Sequence, residues 1–462
     1  MFDTQIYVQR REHLKQQLSS GLLLFPGNNE SPMNYPDNAY RFRQDSSFLY
    51  YFGLDFPGLA AVMDLDTGSE TIYGDDLTVD EVVWMGPQPT MRERCAKVGV
   101  QDVLPANKFA DVVQEAAAKG REVHFLPQYR GDTIILLADI LGLAPKMLNG
   151  SASQAFIRAV VLQRSVKVPE EVAEIEIALD ITHKMHIYAM KMTTPGVVEQ
   201  EIAGALEGIA LTRGNGVPYP VIFSVHGETL HNHYHGNLMR EGDIVLNDSG
   251  ASSPLHYAGD ITRTIPVSGK FTQRQKEIYE IVFDAMETSI AQIKPGMKFR
   301  DVHLHAGKVI CNGLKSLGLM QGDTEAAIAA GAHALFMPHG LGHMIGLDVH
   351  DMEVLGEDIV GYDEQTQRSE QFGLAYLRLA KELQPGFELT VEPGIYFIAE
   401  LIDMWQGENK HGEFINYEAV QKYRGFGGIR IEENVLVTDS GQRILGKPIP
   451  KTIADVQALC SS

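Results

Sequence analysis

The stretch VPEEVAEIEIALDITHKMHIYAMKMTTPGV, residues 168–197, decides how the second part of this chain folds. Pro169 suits the first position of a helix, where its missing N–H costs nothing, and Glu170 and Glu171 suit the positive end of the helix dipole. An amphipathic pattern then runs from Val172 to about Met192 and stops at Pro195-Gly196. Further on, TQRQKEIYEIVFDAMETSIAQIKPGMKF, residues 272–299, repeats that grammar. Thr272 and Gln275 form a capping box, Ile278, Val282, Met286 and Ile293 follow, and Pro295-Gly296 ends the run. In both places a second helical pattern begins at once, near Val197 and near Phe299. One such module used twice points to an internally duplicated domain; two unrelated helices that end alike are the plainer alternative.

Upstream of about residue 165 the pattern changes to short β-type runs alternating with helical ones, an α/β composition. Leu59 to Met63 and Glu70 to Tyr73 flank the turn Asp66-Thr67-Gly68 and predict a hairpin. Lys108 to Lys119 predicts a helix and Val123 to Leu126 a strand. A length of 462 residues fits two or three domains. With 44% hydrophobic and 21% charged residues the composition is globular, and the formal net charge of −21 argues against nucleic acid as a partner. The apolar run Leu22 to Phe25 is too short to span a membrane and resembles no signal segment. Cys95, Cys311 and Cys460 lie far apart with no C-x-x-C pair, which fits a reducing compartment; a cytoplasmic location follows by default.

Three familiar chemistries are missing: there is no H-E-x-x-H, no G-x-S-x-G and no phosphate-binding G-x-x-x-x-G-K-[ST]. The chemistry-bearing residues cluster late in the chain. Ile244 to Gly250 and Tyr257 to Thr264 flank Ser252-Ser253-Pro254, so a hairpin would bring Asp248 and Asp260 together. Two facing carboxylates repel unless a cation lies between them; an ordinary acidic surface hairpin is the alternative. His339, His343 and His350 are interleaved with Gly340 and Gly342, which allow sharp turns and close backbone approach. Glu392 ends a β-type run before Pro393-Gly394. Gly428 to Val435 alternates as a strand, with Arg430 and Glu432 on one face, where a solvent-facing ion pair is the alternative. Together, Asp248, Asp260, His343, Glu392 and Glu432 supply four carboxylates and one imidazole, an oxygen-rich set that suits Mn²⁺. Four negative charges nearly balance two divalent cations and leave room for a bridging hydroxide.

The order and spelling of these motifs resemble the pita-bread metallopeptidases, specifically the proline-directed branch of prolidase and aminopeptidase P. Phe42-Arg43-Gln44-Asp45-Ser46-Ser47-Phe48 and Tyr51-Phe52-Gly53 are similar to the creatinase-type N-terminal domain of that branch. The resemblance implies an α/β N-terminal domain over residues 1–165 and an α+β pita-bread catalytic domain, pseudo-twofold duplicated, over 166–462. It implies that Asp248, Asp260, His343, Glu392 and Glu432 ligate two Mn²⁺ ions, with Co²⁺ or Zn²⁺ as substitutes. Asp260 and Glu432 would bridge, and Glu392 would also carry the proton of the attacking hydroxide. His339 and His350 match histidines that hold substrate and stabilise the tetrahedral intermediate. His231 matches a further histidine near the scissile bond, although His233 and His235 crowd it, and Arg430 matches a support for the ligands. Asp248 and Asp260 stand twelve positions apart, one more than the usual spacing, which predicts a bulge at the hairpin turn.

The segment from Leu374 to Gly386 resembles the prolidase version, and Arg378 falls where prolidases grip the free carboxylate of a dipeptide. An exposed helix arginine is the plainer alternative. Gly394 to Ile398 and Tyr423 to Gly428 are also prolidase-like. The resemblance therefore implies an Xaa-Pro dipeptidase, with an Xaa-Pro aminopeptidase acting on longer peptides as the alternative. A non-catalytic pita-bread binding protein is the remote one, since such relatives lack the ligand set. Substrates would be Xaa-Pro dipeptides or peptides with proline second; neither nucleic acid nor membrane is expected as a partner, and a homodimer or homotetramer is.

Overall fold

The computed structural model describes residues 1–461, which form two compact units: Met1–Arg164 with Met352–Gly356, and Ser165–Asp351 with Glu357 onward. The first unit runs α1 (Thr4–Lys15), β1 (Leu22–Pro26), α2 (Ser46–Phe52), β2 (Ala60–Asp64), β3 (Glu70–Tyr73), α3 (Val79–Met85), α4 (Met91–Ala96), β4 (Asp102–Leu104), α5 (Lys108–Ala118), β5 (Val123–His124), α6 (Gly131–Leu141) and α7 (Gln154–Ser165). Its five strands form one mixed sheet in the order β4-β3-β2-β1-β5. Every residue of β1 is buried, as an uninterrupted Leu-Leu-Leu-Phe run requires of an inner strand. Phe25 on β1 packs against Tyr51, Phe52 and Phe156 with ring centres 5.2–5.3 Å apart. The β2–β3 hairpin and α5 form as the sequence predicts. The last strand is shorter than Val123 to Leu126, because β5 pairs with β1 only at Val123 and His124.

The second unit is built from two similar halves. In one, α8 (Pro169–Met192) and α9 (Glu199–Arg213) pack together and are followed by the antiparallel sheet β6 (Ile222–Ser224), β7 (Ile244–Asp248) and β8 (Thr262–Pro266). In the other, α10 (Gln273–Gln292) and α11 (Phe299–Ser316) pack together and precede β9 (Glu388–Val391), β10 (Gly394–Tyr396), β11 (Gly428–Arg430), β12 (Glu433–Val437) and β13 (Gln442–Ile444). Strands β13, β12 and β9 make a second three-stranded sheet, and β10 pairs with β11. The helix boundaries follow the sequence: Pro169 stands in the first turn of α8, and the Thr272–Gln275 capping box opens α10. The stripe Ile278, Val282, Met286 of α10 is wholly buried.

One expectation needs correction. Gly428 to Val435 is not one strand: β11 and β12 belong to different sheets, and Ile431 and Glu432 form the step between them. The step is held by Glu432 N–H donating to the Thr262 carbonyl at 3.1 Å. The ladder of the Asp248–Asp260 hairpin is regular, keeping one register from Ile244↔Pro266 to Ser252↔Ala258, so the extra length falls at the turn as expected. The long spacing is absorbed in the turn beyond, where His256 adopts φ 68°. The plainer alternative for Arg378, an exposed helix arginine, does not hold, since a single tight turn, Leu374–Tyr376, precedes it and Leu377 is extended. No helix among the described residues is long and apolar enough to cross a membrane.

Candidate metal centre

The ends of four strands converge on one cavity of about 1000 Å³ in the second unit, lined by all ten residues singled out in the sequence. Asp248 ends β7, Asp260 precedes β8, Glu392 follows β9 and Glu432 sits in the β11–β12 step. Three of the four stand just outside a strand, where the chain leaves the ladder and can turn the carboxylate into the cavity. One ligand atom from each of Asp260, His343 and Glu432 lies within 4.8 Å of the others. His343 Nε2 is 3.5 Å from both Asp260 Oδ2 and Glu392 Oε1. Asp248 stands beside them, joined to Asp260 by the Tyr219 hydroxyl, which lies 2.9 Å from Asp248 Oδ1 and 2.5 Å from Asp260 Oδ1.

The surroundings prepare each donor. His343 Nδ1 lies 3.0 Å from the Met344 carbonyl, which can only accept, so the hydrogen sits on Nδ1 and the Nε2 lone pair faces the carboxylates. Thr262 gives its hydroxyl hydrogen to Glu432 Oε2 at 2.7 Å and accepts from Arg430 Nε at 3.1 Å. Arg430 also reaches Asp248 Oδ2 at 2.5 Å and the Tyr396 hydroxyl at 2.7 Å. Arg430 and Glu432 are both buried, which rules out the solvent-facing ion pair. Gly342 is required here: a Cβ would sit 1.9 Å from the Thr390 carbonyl on β9.

The donor set fits a divalent cation. Glu432 Oε1 is buried without a hydrogen-bond partner among the described residues, a costly arrangement unless a ligand claims it. Burial, with the charges of Asp260, Glu392 and Asp248, pushes the Glu432 carboxyl well above the usual range. Burial likewise raises Glu392 to about 7 and lifts Asp248 despite Arg430. Clustered carboxylates strained in this way are relieved by positive charge placed among them.

The outer residues divide. His350 packs edge-on against His343, with ring centres 4.4 Å apart, and its Nδ1 accepts from Arg378 Nε at 3.2 Å. His339 donates from Nδ1 to the Gly340 carbonyl at 2.7 Å and accepts at Nε2 from the Tyr396 hydroxyl at 3.0 Å. Burial drives its pKa down to about 3, so it is neutral and both its nitrogens are engaged within the chain. His231 and His233 both line the cavity, whereas His235 turns to the Phe223 carbonyl at 3.2 Å. Sequence reasoning passed over Tyr219, Tyr396 and Thr262. Tyr219, between Pro218 and Pro220, left a faint signal as an aromatic hydroxyl in a rigid turn; Tyr396 and Thr262 look like ordinary strand residues.

A duplicated helix-and-sheet unit carrying a buried carboxylate–histidine cluster defines a metallohydrolase of pita-bread architecture. The model of metallopeptidase family M24 matches residues 173–439, and that of the aminopeptidase P N-terminal domain matches residues 7–124. The chain belongs to metallopeptidase family M24. It is 32% identical to the Xaa-Pro dipeptidase of Homo sapiens over 454 residues, covering 95% of this chain and 88% of that protein. It is equally 32% identical to the Xaa-Pro aminopeptidase of Escherichia coli K12, covering 98% and 97%. Aminopeptidase P from E. coli, solved as a variant with substrate, matches with a TM-score of 0.81 at 28% identity over 100% of this chain and 98% of that one. The zinc-substituted E. coli enzyme with product matches equally well, at 0.81 and 29% identity.

Proposed function

We propose that this protein is an Xaa-Pro dipeptidase that hydrolyses the bond between a first residue and a carboxy-terminal proline. The observation that carries the reading is Arg378, whose guanidinium lines the cavity beside His350. A fork of N–H donors at that place suits the free carboxylate of a dipeptide. An Xaa-Pro aminopeptidase is the second reading, favoured by the full-length likeness to E. coli aminopeptidase P and by a cavity of about 1000 Å³, roomy for a dipeptide. The deciding experiment compares kcat/KM on an Xaa-Pro dipeptide and an Xaa-Pro-Yaa tripeptide. Preference for the tripeptide overturns the dipeptidase reading.

Asp248, Asp260, His343, Glu392 and Glu432 would hold two Mn²⁺ ions, with Co²⁺ or Zn²⁺ as substitutes; the oxygen-rich donor set supports this. Bound there, such cations lower the pKa of water and polarise a carbonyl. Glu392, which accepts the Thr390 hydroxyl at 3.3 Å, would take the water's proton and return it to the leaving proline nitrogen. His350, with its hydrogen on Nε2, would donate to the carbonyl oxygen as charge develops. His231, which lines the cavity, would contact the substrate, and His339 would act indirectly, by fixing Tyr396 and through it Arg430. The proposal includes a domain boundary at residue 165, supported by the compactness of Met1–Arg164, and a cytoplasmic location, supported by three unpaired cysteines. It also includes a homodimer or homotetramer. Self-association is supported by α3, which has no buried residue and exposes Val79, Val83, Trp84 and Met85.

A further inference from the structure

We propose that Lys167 is a positioning residue for the metal centre, acting through Asp351 on both His343 and His350. Lys167 Nζ and Asp351 Oδ2 are 2.9 Å apart, and both side chains are only 1% exposed. Asp351 links this ion pair to the site through its backbone and its chain neighbour. Its backbone N–H donates to the Met344 carbonyl at 2.9 Å, the same oxygen that receives the His343 Nδ1 hydrogen. Its Oδ1 accepts the Asp348 N–H at 3.4 Å. Its chain neighbour His350 carries the ring that packs on His343 and meets Arg378.

The loop from Met344 to Asp351 is pinned at its start by a bridge from Met344 to Leu389 and by Ile345 N–H to the Glu388 carbonyl at 3.2 Å, and the ion pair anchors its far end at Asp351. The fit is close: a Cβ at Gly346 would lie 2.5 Å from Asp351 Oδ2 and 2.9 Å from Lys167 Cε. Lys167 itself is tied down by its N–H to the Gly386 carbonyl at 2.8 Å, just before β9. A second acid, Glu388 on β9, is buried in the same neighbourhood with both oxygens unpartnered among the described residues. Burial, with the charges of Glu171 and Asp351, pushes its carboxyl well above the usual range in spite of Lys167. The lysine meets Asp351 on the histidine loop at 2.9 Å, and so ties that loop to the chain entering α8.

The inference rests on the reading of His343 as a ligand, so the test reads metal binding as well as turnover. Lys167→Met, Asp351→Asn and the double variant are stripped of metal, and Mn²⁺ affinity is measured by calorimetry on folded protein, with the His343 tautomer followed by ¹⁵N NMR. Lys167→Met is expected to weaken Mn²⁺ binding about 10–100-fold, the range for losing an outer support of a ligand. The His343 Nδ1–H signature should blur. The double variant should recover part of the loss, because no buried charge is stranded. A merely structural ion pair would lower the melting temperature and leave affinity and tautomer unchanged in the folded protein, and that result overturns the proposal. If Lys167→Met does not fold, Asp351→Asn is judged by the same two outcomes. A parent protein that binds no Mn²⁺ removes the ligand reading and this proposal with it, whereas a parent that binds and variants that match it sink the role of Lys167 alone.

Discussion

Arg378 gives its Nε hydrogen to Nδ1 of His350 at 3.2 Å, and this one bond joins the specificity of the site to its chemistry. It fixes the imidazole hydrogen on Nε2 and holds the guanidinium in the cavity wall. Arg378→Ala should therefore lower dipeptide kcat/KM by the loss of a charge-assisted pair, about 1.5–3 kcal/mol. A tripeptide, whose carboxylate lies one residue further out, should be cleaved slowly by the parent and should lose less, only the share that comes from His350 losing its Nδ1 partner. The ratio of the two kcat/KM values is the readout, and an unchanged ratio excludes Arg378 as the carboxylate anchor.

Glu392→Gln should abolish turnover while leaving the fold intact. The amide cannot take a proton from water and ligates a cation poorly. Circular dichroism would check the fold, and near-normal turnover would remove Glu392 from the mechanism.

Tyr396→Phe probes the network behind the ligands. The buried hydroxyl accepts from Arg430 Nη1 at 2.7 Å and donates to His339 Nε2 at 3.0 Å. Its loss strands an acceptor on His339 and a donor on Arg430, at about 1–3 kcal/mol of stability. The melting temperature should fall and kcat with it, since Arg430 also steadies Asp248. A variant with parental stability and kcat would show the network to be idle.

Chelation should remove about two divalent ions per chain and with them the activity, and Mn²⁺ should restore it. The stripped protein should also melt earlier, because four carboxylates are left facing one another. Metal analysis and calorimetry before and after stripping give the answer; activity indifferent to chelators would overturn the metal reading.

Acid stability should depend on His303 and His333, a buried pair whose four ring nitrogens have no hydrogen-bond partner among the described residues. Burial lowers their pKa values to about 3 and about 4. Unfolded histidine titrates near 6.5, so between about pH 6.5 and 4 the unfolded chain binds protons that the native one refuses. Their contribution is present above that window and is lost as pH falls, at about 1.4 kcal/mol per pH unit for each ring. Urea unfolding at several pH values should show a shallower acid slope for His303→Met than for the parent; parallel slopes would refute the assignment.

Much was legible in the sequence because it is written locally. Helix periodicity, the capping box at Thr272 and the Pro-Gly stops report structure within one turn, so the duplicated half-units could be read before any contact was known. The candidate donors were legible for a related reason: Asp248 with Asp260 and His339 to His350 lie close along the chain, where a hairpin or a glycine-rich loop brings them together. What escaped was nonlocal. That Arg430 and Glu432 stand either side of a step between two sheets, rather than on one strand, depends on where β9, β10 and Thr262 lie in space. That Arg378 follows a tight turn, with Leu377 and Leu379 buried on either side of it, is likewise set by the packed fold. The hydroxyls of Tyr219 and Tyr396 and the Lys167–Asp351 pair gain their roles from partners up to 184 positions away. Hydrophobic spacing determines which face of an element is buried; only the packed fold determines which polar atom meets which.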